Sequence, residues 1–488
     1  MRLLASWPEM STRARLRQAY AAMDHATCYS EWLQAAEAHD QLTGAADWRN
    51  DDGSSHYDAS ELRACITRWQ ALRQAGEGLQ LAQALTADLY RHQSELSAAD
   101  PYDVALAGPK NLVERFLEEA EASLHWLADN RIPGVSSVEK AQRFATAAKV
   151  FGRSALLLSG GATLGFHHLG VVKALFEADL LPHILSGAST GAMIAAGICV
   201  RTDDEIAQMY ADTDSIRLDG LKPAPLGTAA RNAALLDPAQ LYEVLRHNVG
   251  DHTFAEAFAH SGRALNIAVA PTRTHQKPRL LTHITAPEVL VASAALASSA
   301  LPTLFPPVVL EARRQGSIVE YISAERWVDG SLHEDLPKLR LARLHNVNHF
   351  IVSQTNPHVL PFVRHHGQRG LRPLAYGLAS AAVRTQGAFA VDTMRRLNRR
   401  SRGPVRQLAD RAYALVNQDY GGDIDIHPQF RWNLYRKMVA NPTRADLAQF
   451  IREGERSVWP KLARIRNQTR ISRAFRECVT RVRDDSTG

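Results

Sequence analysis

SALLLSGGATLGFHHLGVVKALFEADLLPHILSGASTGAMIAAG, residues 154–197, decides the fold. It opens on a short apolar run, 154–160, that ends in glycine and suits a strand buried in a parallel sheet. A helix-like segment follows over 163–180, and a second short run, HILSG, leads into GASTG at 187–191. Strand, glycine-rich turn, helix, strand, sharp turn and helix in that order form an α/β crossover pattern. Farther along, ALNIAVAP (264–271), RWVDG (326–330) and VNHFIVSQ (347–354) are further strand candidates. PEVLVASAALASSALPTLF (287–305) predicts a helix running into a proline-marked loop.

The flanks have a different character. Residues 12–130 read as helical: SEWLQAAEAHDQL (30–42) and ASELRACITRWQALRQA (59–75) carry apolar residues at three- and four-residue spacing. Leu112, Phe116, Ala120, Leu124 and Leu127 make one stripe, the mark of a helix packed on a core and not of a catalytic element. The stretch ADWRNDDGSSHYD (46–58) is polar and reads as an exposed loop. After residue 370 helical character returns. ASAAVRTQGAFAVDTMRRLNRRSRG (379–403) is Ala-rich and then basic, with Arg395, Arg399 and Arg402 at helical spacing. Those arginines form either a solvated face or a contact for lipid headgroups. The expected organisation is an N-terminal helical domain (1–150), an α/β core (151–370) and a C-terminal helical extension (371–488).

Composition narrows the class. A chain of 488 residues, 45% of them hydrophobic, has ample material for a large core. A net charge of +6 is compatible with an anionic membrane surface or nucleic acid but too mild to imply either. Cys28, Cys65, Cys199 and Cys478 are scattered, which excludes a disulfide framework or a zinc cluster and fits a reducing compartment. The opening MRLLASWPEMSTRAR lacks the apolar region of a signal peptide, and no apolar stretch reaches about 18 residues. The expectation is an intracellular protein, soluble or peripherally attached to a membrane or lipid droplet.

Cleavage of an ester requires a nucleophile, a base to take its proton and donors for the developing oxyanion. GASTG fits the G-x-S-x-G nucleophile elbow, with Ser189 at the apex between Gly187 and Gly191. SGGATLG (159–165) has the glycine spacing of a phosphate-binding loop, but Phe166 and His167 stand where Lys and Ser/Thr belong, so nucleotide binding is weakly supported. A Gly-Gly turn entering a helix has another use: its backbone N–H groups can hold an oxyanion. No base is obvious. His167 and His168 suit packing, and His333, His345, His349 and His358 follow in the order of a histidine triad without a distinctive frame. WVDGS puts Asp329 at a strand end, where an Asp-Gly pair is either a turn or a base acting directly on Ser189.

SGGATLGFHHLGVVKAL, GASTG and VDGS, in this order, resemble the patatin-like acyl hydrolases. The likeness extends to YSEWLQAAEAHDQL, to LNIAVAPTRTHQKPRLLTHITAPEVLVASAALASSALPTLFPPV, and to YGGDIDIHP and the C-terminal NPTRADLAQFIREGERSVWPKLARIRNQ. These are similar to the branch of yeast lipid-droplet and plant oil-body triacylglycerol lipases, which carry an N-terminal helical domain. The resemblance covers roughly residues 28–480. It implies a parallel-sheet α/β sandwich flanked by helical segments and a Ser-Asp dyad. Ser189 matches the nucleophile, Asp329 the base, and Gly160, Gly161 and Ala162 the oxyanion loop. Two positions depart from the wider family: Leu164 replaces a common basic residue, and Ser331 follows Asp-Gly in place of Ala or Gly.

The resemblance implies a metal-independent and cofactor-independent serine acyl hydrolase, with triacylglycerol the first expected substrate and a lipid surface the expected partner. A phospholipase A, or a lysophospholipid hydrolase or acyltransferase, uses the same dyad. A silent lipid-surface protein acting through residues 395–402 is the alternative outside enzymology. Nucleic acid is not an expected partner, and the sequence leaves the oligomeric state open.

Overall fold

The computed structural model describes residues 11–97, 102–227, 229, 234–273, 276–302, 304–331, 335–357, 421–429 and 438–487. The basic segment 395–402, His333 and His358 lie outside the described residues. The chain divides into two compact units, one of Met1–Arg153 with Val458–Gly488 and one of Ser154–Ser457.

The first unit is helical: α1 (Thr12–His25), α2 (Tyr29–Thr43), α3 (Ala45–Asn50), α4 (Ala59–Gln74), α5 (Gly78–Ser97), α6 (Asn111–Asp129) and α7 (Ser137–Phe151). The C-terminal helix Leu462–Thr487, numbered α16, packs against α6 and α7. The stripe on α6 is buried, and Phe116 stacks at a tilt on Trp69 of α4 with ring centroids 4.8 Å apart. Ala474, Phe475 and Cys478 of α16 complete the same core. The stretch 46–58, expected to be a loop, begins within α3 instead. The Lys110 ammonium lies 4.4 Å from the Trp48 ring centroid and donates to the carbonyls of Trp48 and Asp51. Buried contacts of this kind stabilise a short helix that sequence periodicity does not announce.

The second unit is built on a sheet. Its strands are β1 (Arg153–Leu158), β2 (Ile184–Gly187), β3 (Ala264–Pro271), β4 (Arg279–Thr282), β7 (Trp327–Asp329), β8 (Val347–Ser353) and β9 (Ile424–Ile426), with β5 (Glu311–Arg314) and β6 (Ser317–Glu320) forming a separate hairpin. The seven-stranded sheet runs β4-β3-β2-β1-β8-β9, with β7 also paired to β3. β1 with β2, β2 with β3, and β8 with β9 are parallel, and β3 is buried along its whole length. β4 and β7 add to β3 antiparallel.

Helices cover both faces. They are α8 (His167–Glu177), α9 (Thr190–Cys199), α10 (Asp203–Ala211), α11 (Pro238–Val249), α12 (Phe254–Ser261), α13 (Val291–Ser299), α14 (Lys338–His345) and α15 (Arg444–Val458). Ala155, Leu157, Ile184, Ala264 and Val352 cluster with Leu341 of α14 on one face. α9 and α13 pack against β2 and β3 and against each other. α15 joins this unit through a Lys173–Glu455 ion pair and through Phe450 on Leu164. Among the described residues, no helix is long and apolar enough to cross a membrane.

Candidate active site

β2 ends at Gly187 and α9 begins at Thr190, so the chain reverses within two residues. Ser189 sits at that point with φ 52° and ψ −126°, in the left-handed region that a side chain occupies only under strain. The flanking glycines are steric necessities. A Cβ on Gly187 would lie 2.3 Å from the Gly191 carbonyl oxygen, and one on Gly191 would lie 2.2 Å from that of Leu158. The apex is pinned from beneath. The Ser189 N–H donates to the Ser298 hydroxyl at 3.0 Å, which in turn donates to the Ala268 carbonyl at 2.8 Å. Ser298 had no catalytic pattern to reveal it. Its signal was only a polar residue inside the apolar helix ASAALASS.

β7 carries Asp329 to the same place. Pairing of Asp329 with Val269 on β3 sets it beside the strand end, and its side chain is buried, with the residue 1% exposed. Burial pushes its carboxyl up from 3.8 to about 6, against hydrogen bonds from the Ser331 N–H, the Ser331 hydroxyl and, most weakly, the Ser189 hydroxyl. The Ser331 N–H donation spans 2.8 Å. Ser331, the departure noted after Asp-Gly, therefore supplies a second donor to this carboxylate.

The glycine loop closes the third side. Gly160 abuts the nucleophile, since a Cβ there would lie 3.3 Å from that of Ser189. Its N–H, expected to face an oxyanion, instead donates to Asp335 Oδ1 at 3.0 Å. Asp335 Oδ2 accepts from Asn356 Nδ2 at 2.5 Å. The expectation for Gly160 is revised accordingly: it is a positioning contact. Among the described residues, no acceptor takes the N–H of Gly161 or Ala162. Ala162 itself has φ 48°, a second strained residue, and its carbonyl accepts from Thr190 Oγ1 at 2.8 Å. Asp335 is buried, and its carboxyl is raised to about 7 chiefly by that burial. The only sequence signal for it was an acid before Leu-Pro, six residues after Asp329.

The histidines fall elsewhere. His168 is fully buried, with Nδ1 2.7 Å from Ser353 Oγ and Nε2 2.9 Å from the Ser159 carbonyl, and burial lowers it to about 4. It ties the ends of β1 and β8 together in neutral form. His345 bonds Asn266 at 2.8 Å, and His349 lies 3.2 Å from Ser154 at the opposite end of β1 from the glycine loop. Neither lines the cavity onto which Ser189 opens.

That cavity has a volume of about 550 Å³. Ser189, Asp329, Gly161 and Asn356 stand on its wall, and the remainder is mainly apolar, including Met193, Leu245, Leu301 and Phe305. The size and the few convergent polar groups suit an apolar small-molecule ligand.

A family model described as Patatin-like phospholipase matches residues 156–340, and one described as Domain of unknown function matches 9–149. The chain is 31% identical to Triacylglycerol lipase ptl3 of Schizosaccharomyces pombe, over 94% of this chain and 96% of that protein. It is 32% identical to Triacylglycerol lipase SDP1L of Arabidopsis thaliana, over 96% of this chain and 60% of that one. A patatin-like phospholipase domain-containing protein of Chaetomium globosum is 31% identical over 96% of the chain. The chain spans 57% of the length of this last relative. With the family model falling on the sheet, elbow and Asp329, and with likeness over nearly the full chain, the protein belongs to the patatin-like phospholipase family.

Proposed function

We propose that the protein is a serine acyl hydrolase of lipid esters that works through a Ser189–Asp329 dyad, with triacylglycerol as its substrate. The observation that carries this reading is the placement of a strained serine hydroxyl against a buried carboxylate at the wall of an apolar cavity. Asp329 takes the Ser189 proton as Oγ attacks the ester carbonyl. The oxyanion is held by the N–H groups of Gly161 and Ala162, next to the positive N-terminus of α9. The proton returns to the leaving alcohol, and an acyl ester of Ser189 remains. Water, deprotonated by Asp329, then attacks that ester, and the departing Ser189 oxygen regains its proton. Fatty acid is released. Gly187 and Gly191 serve the elbow alone.

Triacylglycerol is chosen because two relatives, matched over 94% and 96% of this chain, bear that name. The same reading assigns residues 1–150 to the helical domain of the lipase type, 151–370 to the catalytic domain and 371–488 to a C-terminal extension. A peripheral lipid surface is the proposed partner. It is supported by Val439, which lines the cavity yet is 53% exposed, and by Leu235, 64% exposed beside the cavity residue Leu236.

The test is fatty-acid release from emulsified triacylglycerol and from phospholipid vesicles, with Ser189→Ala alongside. Release from triacylglycerol that falls at least about a thousandfold in the variant is the expected result. Release from phospholipid alone keeps the dyad and replaces the substrate. Undiminished release by Ser189→Ala overturns the mechanism.

A further inference from the structure

Gly191 is glycine because nothing larger fits. Gly197, six residues on in the same helix, has no such reason. A Cβ there meets one atom within 4 Å, Arg201 Nη1 at 3.7 Å, which is ordinary contact. Glycine inside a helix weakens it relative to alanine. Here its effect is to leave space, and that space belongs to the cavity. Ser189, Met193, Gly197 and Arg201 recur every four residues along α9 and just past its end, and all four line it. Leu241, Val244 and Leu245 of α11 line it as well.

From Ser189 to Arg201 is about 18 Å at the helical rise. The Arg201 guanidinium folds back onto the Gly197 carbonyl and donates to the Asn248 carbonyl at 2.8 Å, tying the C-terminal ends of α9 and α11 together.

We propose that this cavity is an acyl channel running along α9 from Ser189 toward Arg201, with Gly197 setting the length of chain it takes. What enters rests on the acyl-hydrolase reading; the place of Gly197 on the cavity wall does not.

The experiment compares kcat/KM for p-nitrophenyl butyrate and p-nitrophenyl palmitate in the wild type, Gly197→Ala and Gly197→Leu, with melting curves to confirm folding. The palmitate-to-butyrate ratio is expected to fall by about tenfold or more in Gly197→Leu, and less in Gly197→Ala. A ratio unchanged in both folded variants overturns the channel while leaving the hydrolase intact. A second measurement needs no turnover: binding of the fluorescent fatty acid cis-parinaric acid to Ser189→Ala with and without Gly197→Leu. Binding weakened by about tenfold in the double variant supports the channel even if no ester is cleaved, in which case the hydrolase reading alone falls. Equal binding overturns the channel.

Discussion

At the N-terminal end of α9, a Cβ on Gly191 would press to 2.2 Å from the Leu158 carbonyl oxygen; at the C-terminal end, a Cβ on Gly197 would find its nearest atom at 3.7 Å. One helix thus has a crowded end and an open end. The crowded end holds the strained Ser189, its N–H bonded to Ser298, and the buried Asp329, its carboxylate bonded by the Ser331 N–H, beside the glycine loop. At the other end Arg201 donates to the carbonyls of Gly197 and Asn248, and Gly197 borders the apolar cavity wall. The difference is one of task. Proton transfer and attack need atoms held within a few tenths of an ångström, whereas an alkyl chain needs only room and exclusion of water.

Asp329→Asn strikes the crowded end at its centre and has the largest expected effect. The amide cannot accept the Ser189 proton, so kcat falls by about three orders of magnitude or more. Stability moves the other way. The wild-type carboxyl is raised from 3.8 to about 6, so the folded chain binds that proton more tightly than the unfolded chain. The resulting stabilisation is complete below about pH 4 and is lost as pH rises through about 6, a change on the order of 3 kcal/mol. Asn carries no charge to bury. Melting curves should therefore show Asp329→Asn more stable than the wild type at pH 8, with the gap closing toward pH 4. A variant equally inactive but less stable at pH 8 would mean that the carboxylate is held by more than the bonds to Ser331 and Ser189.

Gly191→Ala comes next. Its methyl group meets backbone, which cannot rotate away as a side chain would, so β1 and α9 must separate. A loss of about 3 kcal/mol or more is expected in denaturant unfolding, with activity lost alongside.

Ser331→Ala is smaller. Removing one donor to ionised Asp329 raises its pKa further. The acidic limb of kcat/KM, expected near pH 6 in the wild type, should move up by about half a unit to one unit. A limb that stays in place would show that the hydroxyl contributes nothing to the base.

The two ends of α9 also differ in how far the sequence announces them. Gly187, Ser189, Gly191 and Asp329 stand in short motifs because a sharp turn and a buried acid demand fixed residue types at fixed spacing. β1, β2 and β3 were legible for a related reason: strands buried on both faces must be mostly apolar. β4 was harder, and the antiparallel pairing of β4 and of the expected strand β7 to β3 depends on tertiary contacts that short runs such as Arg279–Thr282 do not encode. Asp335 was missed because its function is to hold Gly160 and Asn356, neither of them near it in sequence. The division of the C-terminal segment, with α15 on the sheet unit and α16 in the helical unit, has no composition signal, because both are amphipathic helices. Gly197 was invisible for the opposite reason. An open space leaves no motif.

Gly197→Ala is the smallest expected effect and the sharpest comparison, because the identical change at Gly191 should have the opposite sign. At Gly197 the new methyl group meets only the end of the Arg201 side chain, and the helix loses the entropic cost of glycine. A gain of up to about 1 kcal/mol in denaturant unfolding is expected. A stability loss at Gly197 approaching that at Gly191 would mean that the backbone near Arg201 is as tightly held as the elbow, and the open end would then be a packed core and not a place for a chain to lie.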